Sequence, residues 1–127
     1  MSVNEVGEKL VAMCRENKNL DAIAELYAED VVSVEAMEPP GPQFDRVTTG
    51  REAVRKKNEW WISAHDVHGG EISGPFPHGD RFAVVFKHEV TSKEGPMAGQ
   101  RMNMEEVALY TVADGKITRE EFFYSMG

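Results

Sequence analysis

In two stretches between Arg81 and Tyr124, mostly apolar side chains recur at every second position. Phe82, Val84, Phe86, His88 and Val90 share one face of Arg81 to Ser92, and Met102, Met104, Glu106, Ala108, Tyr110 and Val112 share one face of Gln100 to Val112. A period of two is a strand period, and it needs a sheet with one buried face. Asp114-Gly115 follows at once. Both central residues of a two-residue hairpin turn must tolerate positive φ, so this pair leads into a last strand from Ile117 to Tyr124. Upstream, Glu71 to Phe76 reads as another strand, reaching Arg81 through the turn Pro77-His78-Gly79-Asp80. The C-terminal half is therefore an antiparallel meander, and another part of the chain must cover its apolar face.

The N-terminal half supplies helices for that cover. Ser2-x-x-Glu5 is a capping box opening a helix over residues 3–17. Val3, Val6, Leu10, Met13, Cys14 and Asn17 follow the spacing of one buried face. Asn17-Lys18-Asn19 breaks it, and Asn19 caps a second helix with Leu20, Ile23, Ala24 and Tyr27 inward. Asp30 to Ala36, rich in β-branched residues, reads as a strand. Glu38-Pro39-Pro40-Gly41-Pro42 then forbids regular structure and opens a stiff loop to about Thr48, a lid or rim. Thr49-x-x-Glu52 reads as a second capping box, opening a third helix over 50–65 with Val54, Asn58, Trp61 and His65 on one face. Arg51, Arg55, Lys56 and Lys57 crowd its first turns, which reads as a solvated basic face or a contact to an outside partner. The order α-α-β-loop-α-β-β-β-β predicts an α+β fold, three helices on one face of a curved, mainly antiparallel sheet.

Composition narrows the function. One domain over residues 1–127 is expected from a length of 127 residues. The net charge of −8 argues against a phosphate-backbone partner, so no nucleic acid is expected. Cys14, the single cysteine, excludes an internal disulfide and a cysteine-based zinc site. No apolar run reaches the roughly 20 residues of a membrane span. The first residues lack the basic and apolar regions of a secretory signal. A cytoplasmic protein without membrane attachment is expected.

Three local motifs carry a resemblance. They are Leu26-Tyr27-Ala28-Glu29-Asp30 at the end of helix two, Gly50-Arg51-Glu52-Ala53-Val54 at the entry to helix three, and Asp114-Gly115-Lys116-Ile117 in the last hairpin. In this order and spacing the chain resembles the SnoaL-like, or nuclear-transport-factor-2-like, superfamily. Gly74-Pro75-Phe76-x-His78-Gly79-Asp80-Arg81-Phe82-Ala83-Val84 and Glu120-Glu121-Phe122-Phe123-Tyr124 are similar to a SnoaL-like subgroup of small bacterial proteins. The resemblance implies a cone enclosing an apolar pocket. Its members include ketosteroid isomerase, scytalone dehydratase, limonene epoxide hydrolase, polyketide cyclases and non-enzymatic binding or dimerisation modules, so fold alone does not assign function. It also implies a homodimer; no cofactor is expected.

The candidate chemistry is carboxylic. Glu35 interrupts the apolar run Val31 to Ala36, and the resemblance puts it where ketosteroid isomerase keeps its carboxylate base. Burial in an apolar pocket would raise its pKa and improve it as a proton acceptor; on the outer face, or paired with an arginine, it would be structural. Glu106 and Glu120 join it if their strand faces point inward, and three close carboxyls cannot all ionise cheaply. His88 is a proton shuttle or a bonded histidine at the sheet end. Asn58 and Trp61 are ligand contacts or core, with Phe86, Met102, Met104, Tyr110, Phe122 and Tyr124 as further walls or donors. His65-Asp66-x-His68 suggests no third ligand, so no metal is expected. The resemblance also implies a helix-one tyrosine donor where this chain has Val11, and a late sheet acid near Ala108, one step from Glu106.

Two functions follow. In one, Glu35 removes a proton α to a carbonyl, or activates water, in a small hydrophobic compound. Glu106, Tyr110 or Glu120 then stabilises the oxyanion during isomerisation, dehydration or cyclisation. In the other, the domain binds a small ligand or dimerises without chemistry, through an outer sheet face bearing Val85 and Leu109.

Overall fold

The structure, a computed structural model, describes residues 1–38 and 45–124. Three helices, α1 (Val3–Arg15), α2 (Asn19–Leu26) and α3 (Arg51–Ala64), cover one face of a six-stranded sheet. The strands are β1 (Tyr27–Val34), β2 (Val47–Thr49), β3 (His65–His78), β4 (Arg81–Ser92), β5 (Arg101–Ala113) and β6 (Lys116–Phe123). They lie in the order β2-β1-β6-β5-β4-β3. Only β1 and β6 run parallel; the other neighbours are antiparallel. This is the expected α+β cone.

The capping box at α1 forms as expected. Ser2 Oγ accepts from the Glu5 N–H, and Glu5 Oε1 accepts from the Ser2 N–H, both at 3.1 Å. Val6, Leu10, Val11 and Cys14 form its buried stripe. Gly7 lies in that stripe against β3, where a Cβ would meet the Cβ of Pro75 at 2.7 Å. The missing side chain is what lets helix and strand approach. Asn17, at φ 60, turns the chain out of α1 two residues earlier than the periodicity suggested.

Several expected boundaries move. The cap of α2 is Lys18, without a side-chain bond, and Asn19 is already helical. Ala22, Ile23 and Leu26 are buried, whereas Ala24 is exposed. Leu20 packs against the core and Ile23 and Tyr27 are buried as expected, so only Ala24 leaves the expected stripe, which Ala22 and Leu26 widen. The second capping box does not form: α3 starts from Gly50 at φ 99 with no side-chain cap. Thr49 is held in β2 opposite Val32, which ties its backbone to strand pairing instead. The three-residue β2 was not expected, because it is too short to show a period. The Pro39–Pro42 loop lies outside the described residues.

The meander follows the alternation closely. β4 spans Arg81–Ser92, and Asp114 (φ 52) and Gly115 (φ 75) make the expected hairpin turn. β3 is longer than expected, starting at His65 directly from α3. Its register shifts between Val67 and Gly69 and between Ser73 and Phe76. Such bulges bend a strand and curl the sheet around its cover. Val6, Leu10, Ile23, Leu26, Val31, Val54, Phe82, Val84, Ala108 and Ile117 make the core between helices and sheet. No helix is long and apolar enough to cross a membrane among the described residues.

Candidate functional site

The site grows from the one parallel strand pair. Alternation along β1 puts Val31 and Ser33 inward, with Glu35 next on the same side just past the strand end. Parallel pairing sets Ser33 beside Glu120 of β6. Ser33 Oγ donates to Glu120 Oε2 at 2.7 Å, and the Tyr27 hydroxyl donates to Glu120 Oε1. From α3, Lys57 Nζ donates to Ser33 Oγ at 2.5 Å and to Glu35 Oε2 at 2.9 Å. The Tyr124 hydroxyl donates to Glu35 Oε1 at 2.9 Å. A continuous chain thus runs Tyr27–Glu120–Ser33–Lys57–Glu35–Tyr124. Glu106 of β5 stands opposite Phe86 of β4, and Tyr110 stands opposite Glu120.

These groups line a cavity of about 130 Å³. Leu10 and Cys14 of α1, Ile23 of α2, Trp61 of α3, Phe86 and Phe122 give it apolar walls. Past Asn58, His88 and Trp61 it meets a groove of about 1120 Å³ between the end of α1, the end of α3 and β3. Cys14, Asn19, Asn58, Trp61, Phe86 and His88 line both, so the inner chamber is not sealed.

Burial dominates the electrostatics. Glu120 is 1% exposed, and its carboxyl is raised above the ordinary range. Desolvation is the largest cause; the Lys57 charge and the Tyr27 and Ser33 hydroxyls act against it. Glu106 is pushed up to about 7, chiefly by burial, then by the charges of Glu35 and Glu120, with Lys57 opposing. Every buried side-chain nitrogen and oxygen among the described residues has a hydrogen-bond partner. The Glu106 carboxyl makes no such bond among them and lines the cavity, so its oxygens open onto that space. Tyr27, Tyr110 and Tyr124 are all raised, first by burial, and remain hydroxyl donors. Burial lowers His88, which favours the neutral imidazole. The Cys14 thiol, pushed up to about 12 by burial and by Glu120, is unreactive.

Of the expected site residues, Glu35, Glu106, Glu120, His88, Asn58, Trp61, Phe86, Tyr110 and Phe122 come together around the cavity. Tyr124 reaches it through Glu35. Met102 and Met104 do not line it. They share the inner face of β5 but pair with Val90 and His88 toward its loop end, beyond the chamber. Asn58 spends its Nδ2 on the Val54 carbonyl of its own helix, at 3.0 Å. Trp61 stacks on His65 with ring centroids 4.4 Å apart and leans toward His88 at 6.1 Å. His68 bonds Thr91, and no cluster of three or more metal-ligating side chains occurs among the described residues.

Lys57 is the main correction. The sequence groups it with a solvated basic face or a contact to an outside partner, but its side chain is 7% exposed and paired with Glu35. Its ammonium also lies 5.4 Å from the centre of the Phe122 ring. The signal was present: Lys57 stands three residues after Val54 and four before Trp61, on the stripe the periodicity marks as inward. Only its neighbours Arg51, Arg55 and Lys56 made it look like surface. Ser33 was missed for a similar reason, as a small polar residue between two valines.

Comparison with known proteins fits this geometry. A family model described as a SnoaL-like domain matches residues 1–124. A Mesorhizobium loti protein named as a candidate SnoaL-like polyketide cyclase, whose name also carries "carbohydrate phosphatase", is 43% identical. It superposes with a TM-score of 0.88 over 98% of this chain and 100% of its own. A candidate polyketide cyclase of Pseudomonas putida shares 19% identity at a TM-score of 0.72, over 99% of this chain and 93% of its own. TerC, co-crystallised with polyporic acid, shares 21% identity at 0.65, over 91% and 85%. These two likenesses establish the fold alone. No curated protein matches the chain.

Proposed function

The chain belongs to the SnoaL-like domain family, and from that premise we propose that it binds a small, largely apolar carbonyl compound and moves a proton on it by acid–base chemistry. The observation that supports this best is Glu106. Its carboxyl opens onto an apolar cavity and is held at about 7, where both protonation states are populated near neutral pH. Glu35 was the first candidate for the base, but both its oxygens already accept, from Lys57 and Tyr124. The oxygens of Glu106 instead open onto the cavity where a ligand would lie. Glu106 therefore takes the proton α to the carbonyl, while Tyr110 and the Lys57–Glu35 pair face the charge that develops. Isomerisation, dehydration and cyclisation all fit such a step.

A thermal-shift screen of small ketones and aldehydes tests this. A compound at 100 times its Kd should stabilise the fold by about 2.7 kcal/mol. Glu106 takes the α proton only as the carboxylate, so turnover of any compound that binds should rise as pH climbs through about 7. Melts that no carbonyl compound shifts at any pH would sink the proposal.

A second function, a dimerisation or binding module without chemistry, has its own support. The inner chamber is below the roughly 300 Å³ of ordinary ligand pockets. On the outer sheet face, Val85, Val107 and Phe123 lie side by side across β4, β5 and β6, with Leu109 next along β5. Val107 is 38% exposed and Phe123 52%. A two-fold copy covering this patch would make a cytoplasmic homodimer. Light scattering should then give a dimer for the wild type and a monomer for Val107→Glu. A monomeric wild type removes the dimer from either function.

A further inference from the structure

Seven lysines occur in the chain, and six of them reach the surface. The seventh, Lys57, is buried in the wall of the cavity. We propose that Lys57 is a nucleophile that condenses with the carbonyl carbon of the bound compound to form an imine. This rests on the carbonyl ligand proposed above and narrows it to aldehydes and ketones, since esters and carboxylic acids form no imine.

The neighbours supply each proton transfer. Glu35 Oε2, at 2.9 Å, takes one proton from the ammonium and leaves a neutral amine. Ser33 Oγ, at 2.5 Å, holds the nitrogen in place. The nitrogen lone pair forms the N–C bond as the carbonyl π pair moves to oxygen. Protonated Glu106, opening on the same cavity, gives that oxygen a proton and then takes one from the nitrogen, leaving a neutral carbinolamine. Glu35 returns its proton to the hydroxyl, the C–O bond breaks, water leaves, and the nitrogen lone pair closes the C=N bond. The balance is ammonium plus carbonyl giving iminium plus water, with Glu35 and Glu106 back in their starting states. The step creates no net charge in a buried site: the iminium sits where the ammonium sat, beside Glu35 and near the Phe122 ring. It also acidifies the α proton, which Glu106 takes once it has released its own proton to solvent.

Reductive trapping tests this on the full chain. Benzaldehyde has no α hydrogen, so its imine accumulates for capture by sodium cyanoborohydride, and peptide mass mapping reads which lysines carry the benzyl group. Lys57 should be labelled at least about tenfold faster than any exposed lysine at low aldehyde, because a bound carbonyl meets the amine at high effective concentration. Benzyl alcohol, the same shape without the carbonyl, should suppress labelling at Lys57 and not at the other six. Glu35→Gln should slow labelling at Lys57 relative to the wild type at equal occupancy by benzaldehyde. A shift by benzaldehyde with Lys57 unlabelled overturns the imine and leaves the carbonyl pocket standing. Neither shift nor labelling overturns both. Labelling at Lys57 that benzyl alcohol does not suppress also overturns it, since the amine would then be reacting without a bound carbonyl.

Discussion

Replacing Glu106 with glutamine is expected to abolish turnover and, above pH 7, to stabilise the protein. The loss follows from removing the proton-transfer group, which contributes about 10²–10⁴-fold in comparable sites. The gain follows from linkage. The carboxyl is raised from 4.5 to about 7 in the folded state. Between those values the folded chain holds a proton that the unfolded chain has released, so stability falls as pH rises through this window and levels off above it. The shift of about 2.5 units corresponds to roughly 3 kcal/mol, an order-of-magnitude figure. Glutamine has no such proton to lose. Urea midpoints across pH should therefore match in acid and separate in favour of Glu106→Gln above neutrality. A variant that loses activity with an unchanged pH–stability curve would mean that Glu106 is not the strained acid described here. The usual sign of a catalytic residue, function held at some expense of stability, then belongs elsewhere.

The parts of this geometry that were legible in the sequence are those governed by periodicity. Alternation from Phe82 to Val90 and from Met102 to Val112 set which faces of β4 and β5 turn inward, and with them the direction of Glu106. Asp114-Gly115 set the register of β6 against β5 through a turn that few other pairs can make. What stayed hidden depends on contacts between elements distant in sequence. Nothing local reveals that β1 pairs in parallel with β6, yet that pairing puts Ser33 beside Glu120. Nor does a helical stripe tell a buried lysine from an exposed one, because the difference lies in whether a carboxylate waits across the gap. Thr49 shows the converse: its local signal for a cap was real, and strand pairing with Val32 overrode it. The chemistry of the site sits mostly in this second category.

Lys57→Met should cost about 3–5 kcal/mol at neutral pH, the range for leaving a buried charge without its partner. That corresponds to a fall in Tm on the order of 10–20 °C for a chain of this size. Methionine keeps most of the aliphatic stem, so the loss would be electrostatic rather than a cavity effect. Lys57 is the cation that opposes the raised pKa of both Glu106 and Glu120, so its removal drives both carboxyls further up. The size of the effect then depends on pH. Above about 7 the variant must bury ionised carboxylates with no counter-charge, and the penalty is full. As pH falls toward 4.5 the acids take up protons in both proteins and the penalty shrinks. The two stability curves should therefore converge toward acid pH. Parallel curves at all pH values would show that Lys57 stabilises by packing alone. In that case the three carboxyls are balanced by some other means, and Lys57 loses its place at the centre of the site.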